Sequence, residues 1–146
     1  MEKTELKLGQ YVIGKNNITY QEGTIDKIEQ STGSRKGLIY KVGINWFFAD
    51  EIEIDQEGIL FAFLQWKGVC EFGKDHGCKF VRNGEKYTLQ GLCHSEHFVY
   101  LVVTTSDGYV KFICARMLNR KTLNKVFNFV NAIFSGTDLW ESINIK

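Results

Sequence analysis

The sequence predicts a mainly β protein, two small and strongly curved sheets packed together, with one α-helix at the C-terminal end. Three observations predict it. Residues 98–118, FVYLVVTTSDGYVKFICARML, place two runs of β-branched and aromatic side chains on either side of Ser106-Asp107-Gly108, the signature of a β-hairpin. Residues 6–54 hold four further runs of that kind joined by short connections, the make-up of a small curved sheet. Beyond residue 119 the apolar period changes from two residues to that of a helix, with Leu123, Val126, Phe127, Val130, Ile133 and Phe134 on one stripe.

Each element then follows in order. Residues 6–14 read as a first strand entering a Lys15-Asn16-Asn17 turn, and residues 19–29 as a second, bent or bulged at Gly23 because a residue without Cβ lets the strand curl. The polar stretch 30–37, QSTGSRKG, is a loop. Residues 38–45 put Leu38, Tyr40, Val42 and Ile44 on one face of a third strand, and 46–54 supply a fourth. Residues 55–74 form a connector whose centre, 59–66 (ILFAFLQW), is apolar at both periods, so that a buried strand and a short helix both remain open. It is expected to pack the two halves together. In the hairpin, a two-residue Asp107-Gly108 loop would set Val103 opposite Phe112, Leu101 opposite Cys114, Val102 opposite Ile113 and Thr104 opposite Lys111. Both faces are then apolar, and a covering layer is expected on each. Asn119 reads as the N-cap of the final helix, Gly136 as its left-handed C′ residue, and 138–141 as one more turn that docks Trp140. The expected units are thus 1–54, 55–74, 75–118 and 119–146.

The totals narrow the class. A chain of 146 residues with 44% hydrophobic composition buries a core either as one domain or as two very small ones. Its longest apolar stretch, 59–64, falls far short of the roughly 18 residues of a membrane helix. The start, MEKTELKLGQ, lacks the apolar centre of a signal peptide. Four cysteines with no regular framework read as thiols, and a cytoplasmic location is expected. Proline is absent, so Gly and Asn must make the turns. The net charge of +1 hides an asymmetry: residues 1–58 carry 7 Lys/Arg against 10 Asp/Glu, and residues 59–146 carry 11 against 7. The two halves therefore suit different partners, or each other.

An internal repeat is one reading of the two halves. At an offset of 68, Gly9, Val12, Ile13 and Gly23 fall on Gly77, Phe80, Val81 and Gly91. At 60, Leu38, Tyr40 and Val42 fall on Phe98, Tyr100 and Val102, and at 66, Ala49 and Ile52 fall on Ala115 and Leu118. The other reading is a single sheet that reuses the same strand pattern. Gly9-Gln10-Tyr11-Val12, Gly23-Thr24-Ile25, Tyr40-Lys41-Val42 and 46–52 together resemble the small SH3-like barrels of the Tudor, Agenet and KOW kind, over residues 6–54 and more weakly 75–118. The resemblance implies a binding module and names no ligand. By that resemblance Tyr20, Tyr40 and Trp46 are the rim or cage candidates, able to hold a cation or peptide against their π faces.

Other constellations compete with this one. Cys70, His76, Cys78, Cys93, His94 and His97 lie within 28 residues, and Cys70, Cys78, Cys93 and His97 superficially match a Cys3His zinc set. No C-x2-C knuckle presents them, and small buried thiols are the expected reading. Cys93 with His94 or His97, oriented by Glu96 or Asp75, has the residue types of a nucleophile pair, yet adjacent strand positions face opposite ways. No phosphate-loop, dinucleotide-loop or metalloprotease motif is present. The expectation is therefore a non-catalytic adaptor without cofactor or metal, touching a protein partner through the rim of the first unit, in the manner of a phage or mobile-element accessory. The alternative is nucleic-acid binding by the second half, through Lys111, Arg116, Arg120, Lys121 and Lys125, with Lys79, Arg82 and Lys86 beside them and Tyr87 or Tyr109 to stack on bases. A zinc module or Cys/His enzyme stands third. The oligomeric state is left open.

Overall fold

A computed structural model describes residues 6–73 and 77–143. The chain is mainly β, with two antiparallel sheets and a C-terminal helix. It divides into two compact units, one of residues 1–59 with 141–146 and one of residues 60–140.

Unit 1 is a five-stranded sheet of β1 (Tyr11–Lys15), β2 (Tyr20–Gln30), β3 (Leu38–Val42), β4 (Asn45–Phe48) and β5 (Ile52–Ile54), in the spatial order β4-β3-β2-β1-β5. Among the described residues β4 and β5 are the two edges, so the ladder is open rather than a closed barrel. Val12, Ile25, Tyr40, Val42 and Phe47 form its core, with Leu6, Ile28, Ile52 and Ile54 packed against them. Alternation explains the set: these residues share the inner face of β1, β2, β3 and β4.

Several expected boundaries move. The first strand begins at Tyr11, because residues 9 and 10 fold across β2 instead, with the Gly9 N–H donating to the Ile25 carbonyl and the Ile25 N–H to that of Gln10. The irregularity in β2 lies between Ile25 and Lys27, while Gly23 pairs regularly with Val12. Residues 38–45 are not one strand. Gly43, at φ +60°, opens a two-residue turn that leaves Ile44 at its exposed tip and sends β4 back along β3. A 3-10 turn, Ala49–Glu51, links β4 to β5, and the Glu51 carboxylate accepts from the Phe48 N–H at 2.8 Å. Arg35 fixes the 31–37 loop beside it, stacked 4.0 Å over the Phe48 ring and paired with Asp50 at 2.9 Å.

The connector's open question is settled as helix α1 (Gln56–Lys67). Asp55 caps it by accepting from the Gly58 N–H at 2.9 Å, and Gly68, at φ +89°, ends it. Ile59, Leu60, Ala62, Phe63 and Leu64 are buried, Phe61 is half-buried, and Trp66 is 76% exposed.

Unit 2 is built on β8 (Glu85–His94). One edge of β8 pairs first with β7 (Lys79–Arg82) and then with β6 (Cys70–Glu71), and the other pairs with β9 (Val99–Thr105), which is followed by β10 (Val110–Cys114). Arg82-Asn83-Gly84-Glu85 is a two-residue hairpin with φ positive at both central positions. The β9–β10 hairpin has a three-residue loop, since the Gly108 N–H donates to the Thr105 carbonyl and Gly108 sits at φ +88°. The register is therefore one residue off the expected one: Lys111 faces Val103, Phe112 faces Val102 and Ile113 faces Leu101. A shift of one exchanges the faces. Leu101, Val103 and Ile113 point into the core while Phe112 is 66% exposed, so this sheet is not covered on both sides as the sequence suggested.

A second 3-10 turn, Ala115–Met117, leads into α2 (Arg120–Phe134). The Asn119 side chain accepts from the Thr122 N–H at 2.8 Å, and Gly136, at φ +91°, follows the C-cap. Val126, Phe127 and Val130 are its buried stripe. In α3 (Asp138–Ile143) the fully buried Trp140 donates to the Asn131 side chain at 2.8 Å and meets Phe63 edge-on at 5.0 Å.

Candidate binding surfaces

The three aromatic residues expected at one rim go to different places. Tyr40 lies on the inner face of β3 in the unit 1 core, 7% exposed, where its ring cannot meet a partner. Trp46, 38% exposed, is on the outer face of β4 across from Lys41, which follows Lys27 of β2 in the ladder. Tyr20, 58% exposed, opens β2 across from Lys15. Seven positions along β2 separate the Tyr20 and Lys27 rows, so no cage forms from the three.

Tyr20 belongs instead to the outer face of β5, β1 and β2. Alternation puts Tyr11, Ile13 and Lys15 of β1 on that face, opposite Thr24, Glu22 and Tyr20, and Ile13 is also opposite Glu53 of β5. The Tyr20 hydroxyl donates to the Glu22 carboxylate at 2.8 Å. Desolvation, that hydrogen bond and the charges of Glu22, Asp55 and Glu53 push its pKa up to about 12. The surface is apolar at its centre, with the carboxylates of Glu22, Glu53 and Asp55 near Tyr20 and the Lys15 ammonium on the strand position across from it.

The basic residues of unit 2 are likewise dispersed. Lys111 on β10 pairs with Glu85 at 3.7 Å, and Arg116 stacks 5.1 Å over the Phe98 ring. Arg120 and Lys121 open α2. Lys125 reaches a concavity that Lys79 and Lys86 also line, and its ammonium donates to the Lys79 backbone carbonyl. The signal for that site was available in the sequence as Asn83-Gly84, whose tight turn pairs Lys79 with Thr88 and Val81 with Lys86 and so sets both lysines on one face. Tyr87 is buried under this site with its hydroxyl on Glu85, so it cannot stack on a base, whereas Tyr109 is exposed.

Cys70 and Cys78 are buried, and burial pushes both thiols up, partly offset by Lys67 and Lys125 respectively. Burial pushes the Cys93 thiol up as well. Cys93 and His94 pair with Tyr100 and Val99 and so face opposite ways, and the His94 ring meets Phe61 edge-on at 5.7 Å. His97 sits exposed in the turn before β9. Among the described residues no three His, Cys, Asp or Glu side chains converge as metal ligands would. His76 and Asp75 lie outside the described residues. No protein family, no curated protein and no solved structure matches this chain.

Proposed function

We propose that this chain is a non-catalytic binding protein that takes a cationic segment of a protein partner on the outer sheet face of unit 1, centred on Tyr20. The observation that supports the reading is the phenol itself, 58% exposed, with its hydroxyl donating to the Glu22 carboxylate at 2.8 Å and its pKa raised to about 12 by desolvation, that hydrogen bond and the neighbouring carboxylate charges. The carboxylate charges of Glu22, Asp55 and Glu53, which oppose a phenolate, favour a positive group, and Tyr20, Tyr11 and Ile13 offer apolar and π surface beside it. The acidic excess of residues 1–58 acts in the same direction over longer range. The proposal places the protein in the cytoplasm, consistent with its four unpaired thiols, as an accessory of a phage or mobile element, to which a proline-free composition is suited.

Binding of a fluorescent octa-arginine peptide tests it. Tyr20→Ala and Glu22→Gln should each weaken binding by about three- to tenfold, in line with loss of a partly exposed cation–π or charge contact. Ultraviolet titration gives a second readout. Because the folded pKa of Tyr20 is raised, its contribution to stability is fully present below about pH 10 and is lost as pH rises through about 12. Glu22→Gln should bring that titration back toward 10, and bound peptide should do the same to the unaltered protein. Peptide binding that leaves the Tyr20 titration unmoved would refute this surface as the site.

A further inference from the structure

Unit 2 carries a second surface of opposite charge, and we propose that its concavity binds a nucleoside phosphate. The cavity has a volume of about 470 Å³, within the roughly 300–1,000 Å³ of small-ligand sites. Its exposed apolar residue is Val81, and the Phe80 and Tyr87 rings, 5.6 Å apart, are buried beneath it. Lys79, Lys86 and Lys125 line the cavity as well, and among the described residues no carboxylate does. Of the two acids adjacent in sequence to lining residues, Glu85 is engaged elsewhere, accepting from the Tyr87 hydroxyl at 2.8 Å and pairing with Lys111 at 3.7 Å, and Asp107 lies in the exposed β9–β10 loop beside Ser106.

Three lysines lining one concavity favour an anion there, and the Lys125 ammonium is already positioned, since it donates to the Lys79 carbonyl. The type of cation identifies the type of anion. Lysine meets phosphate as a point charge, whereas planar, bidentate recognition of a carboxylate relies on arginine, and no arginine lines this cavity. Val81, 58% exposed between the lysines, adds apolar surface for the sugar that an inorganic anion would leave empty. The same chemistry has two sources, a free mononucleotide and one nucleotide of a single strand. The site is independent of the Tyr20 surface, as it uses no residue of unit 1.

The test uses the full chain and a fluorescein-labelled 12-nucleotide oligo-dT strand, at about 50 mM and then about 200 mM salt. The strand should bind at low salt. Lys79→Glu with Lys86→Glu should weaken it by at least about tenfold and flatten its dependence on log salt by roughly 1.4, as expected for two lost phosphate contacts on a single strand. Lys27→Glu with Lys36→Glu, the same charge change on exposed residues of unit 1, should alter affinity no more than about twofold. A thermal unfolding midpoint shared by all three proteins excludes misfolding as the cause, and Lys86→Gln alone gives a milder second variant expected to lose about threefold. Displacement of the strand by thymidine monophosphate but not by equimolar inorganic phosphate supports a free nucleotide as the source. Retention of the strand against both supports a strand. Failure to bind either nucleotide probe at low salt overturns the proposal, as does an equal loss in the unit 1 control.

Discussion

The two units are built on the same sequence of elements and differ in what their glycines make room for. In unit 1, β1 to β4 run as a meander into a 3-10 turn that opens at Ala49, and in unit 2, β7 to β10 do the same into a turn that opens at Ala115. Gly14 of β1 is buried against the Phe47 ring, and a Cβ there would collide with it. Gly91 of β8 is buried against backbone, and a Cβ there would collide with the Cys70 carbonyl. The Phe47 ring can reorient within its core to relieve such an overlap, while a carbonyl fixed in a strand ladder moves only with its strand. The second sheet should therefore be the less forgiving one.

Gly91→Ala should have the largest effect. Forcing β6 away from β8 removes the Cys70–Leu92 and Glu71–Gly91 pairings and exposes the edge of the unit 2 core, a loss of about 3–4 kcal/mol. Hydrogen exchange locates the damage: amides of Leu92 and Leu101 should exchange much faster while those of Val12 and Ile13 keep their protection. Gly14→Ala should reverse that pattern at lower cost, about 1–3 kcal/mol of overpacking against a ring that is itself fully buried. If Gly14→Ala proves the costlier of the two, the distinction between side-chain and backbone contact does not govern these sheets.

Where the sequence was legible, one local rule and one long-range rule agreed. The α2 stripe, its Asn119 cap and Gly136 all indicate one helix, and the structure contains it with those ends. The β9–β10 hairpin was recognisable, but its register was not, because Asp107-Gly108 suits both a two-residue loop and the three-residue loop that forms. That single residue decided that Phe112 faces solvent. For α1 the periodicity was silent, and the deciding signals were its ends, Asp55 and Gly68, outside the apolar run. Tyr40 illustrates another failure. Alternation with Val42 already marked it for the core, and the resemblance to small barrels drew it to a rim that its own strand forbids. At the offset of 60 the burial is out of phase: Tyr40 is buried, whereas the buried residues of β9 are Val99, Leu101, Val103 and Thr105, on the face opposite Tyr100. The basic concavity was hidden because it draws lysines from both arms of a hairpin and from a helix, which no linear charge run displays.

The smallest effect is expected where the units diverge. After the first 3-10 turn, Ile52 leads at once into β5, which pairs back onto β1. After the second, Leu118 occupies the matching place, and the next residue, Asn119, turns the chain into α2. Both Ile52 and Leu118 are extended, at ψ 137° and 145°, so the backbone has not yet chosen between strand and helix there. Asn119 makes the choice by accepting from the Thr122 N–H, satisfying one donor that the first helical turn leaves without a partner. Asn119→Ala should cost about 1 kcal/mol, and Asn119→Asp should restore it, adding a favourable charge at the helix N-terminus. The loss should appear as faster exchange at Thr122 and Leu123, with the amides of β8 and β9 unaffected. An alanine variant as stable as the parent would mean that the buried stripe of Val126, Phe127 and Val130 alone sets the start of α2, and that the cap records the divergence of the two units without enforcing it.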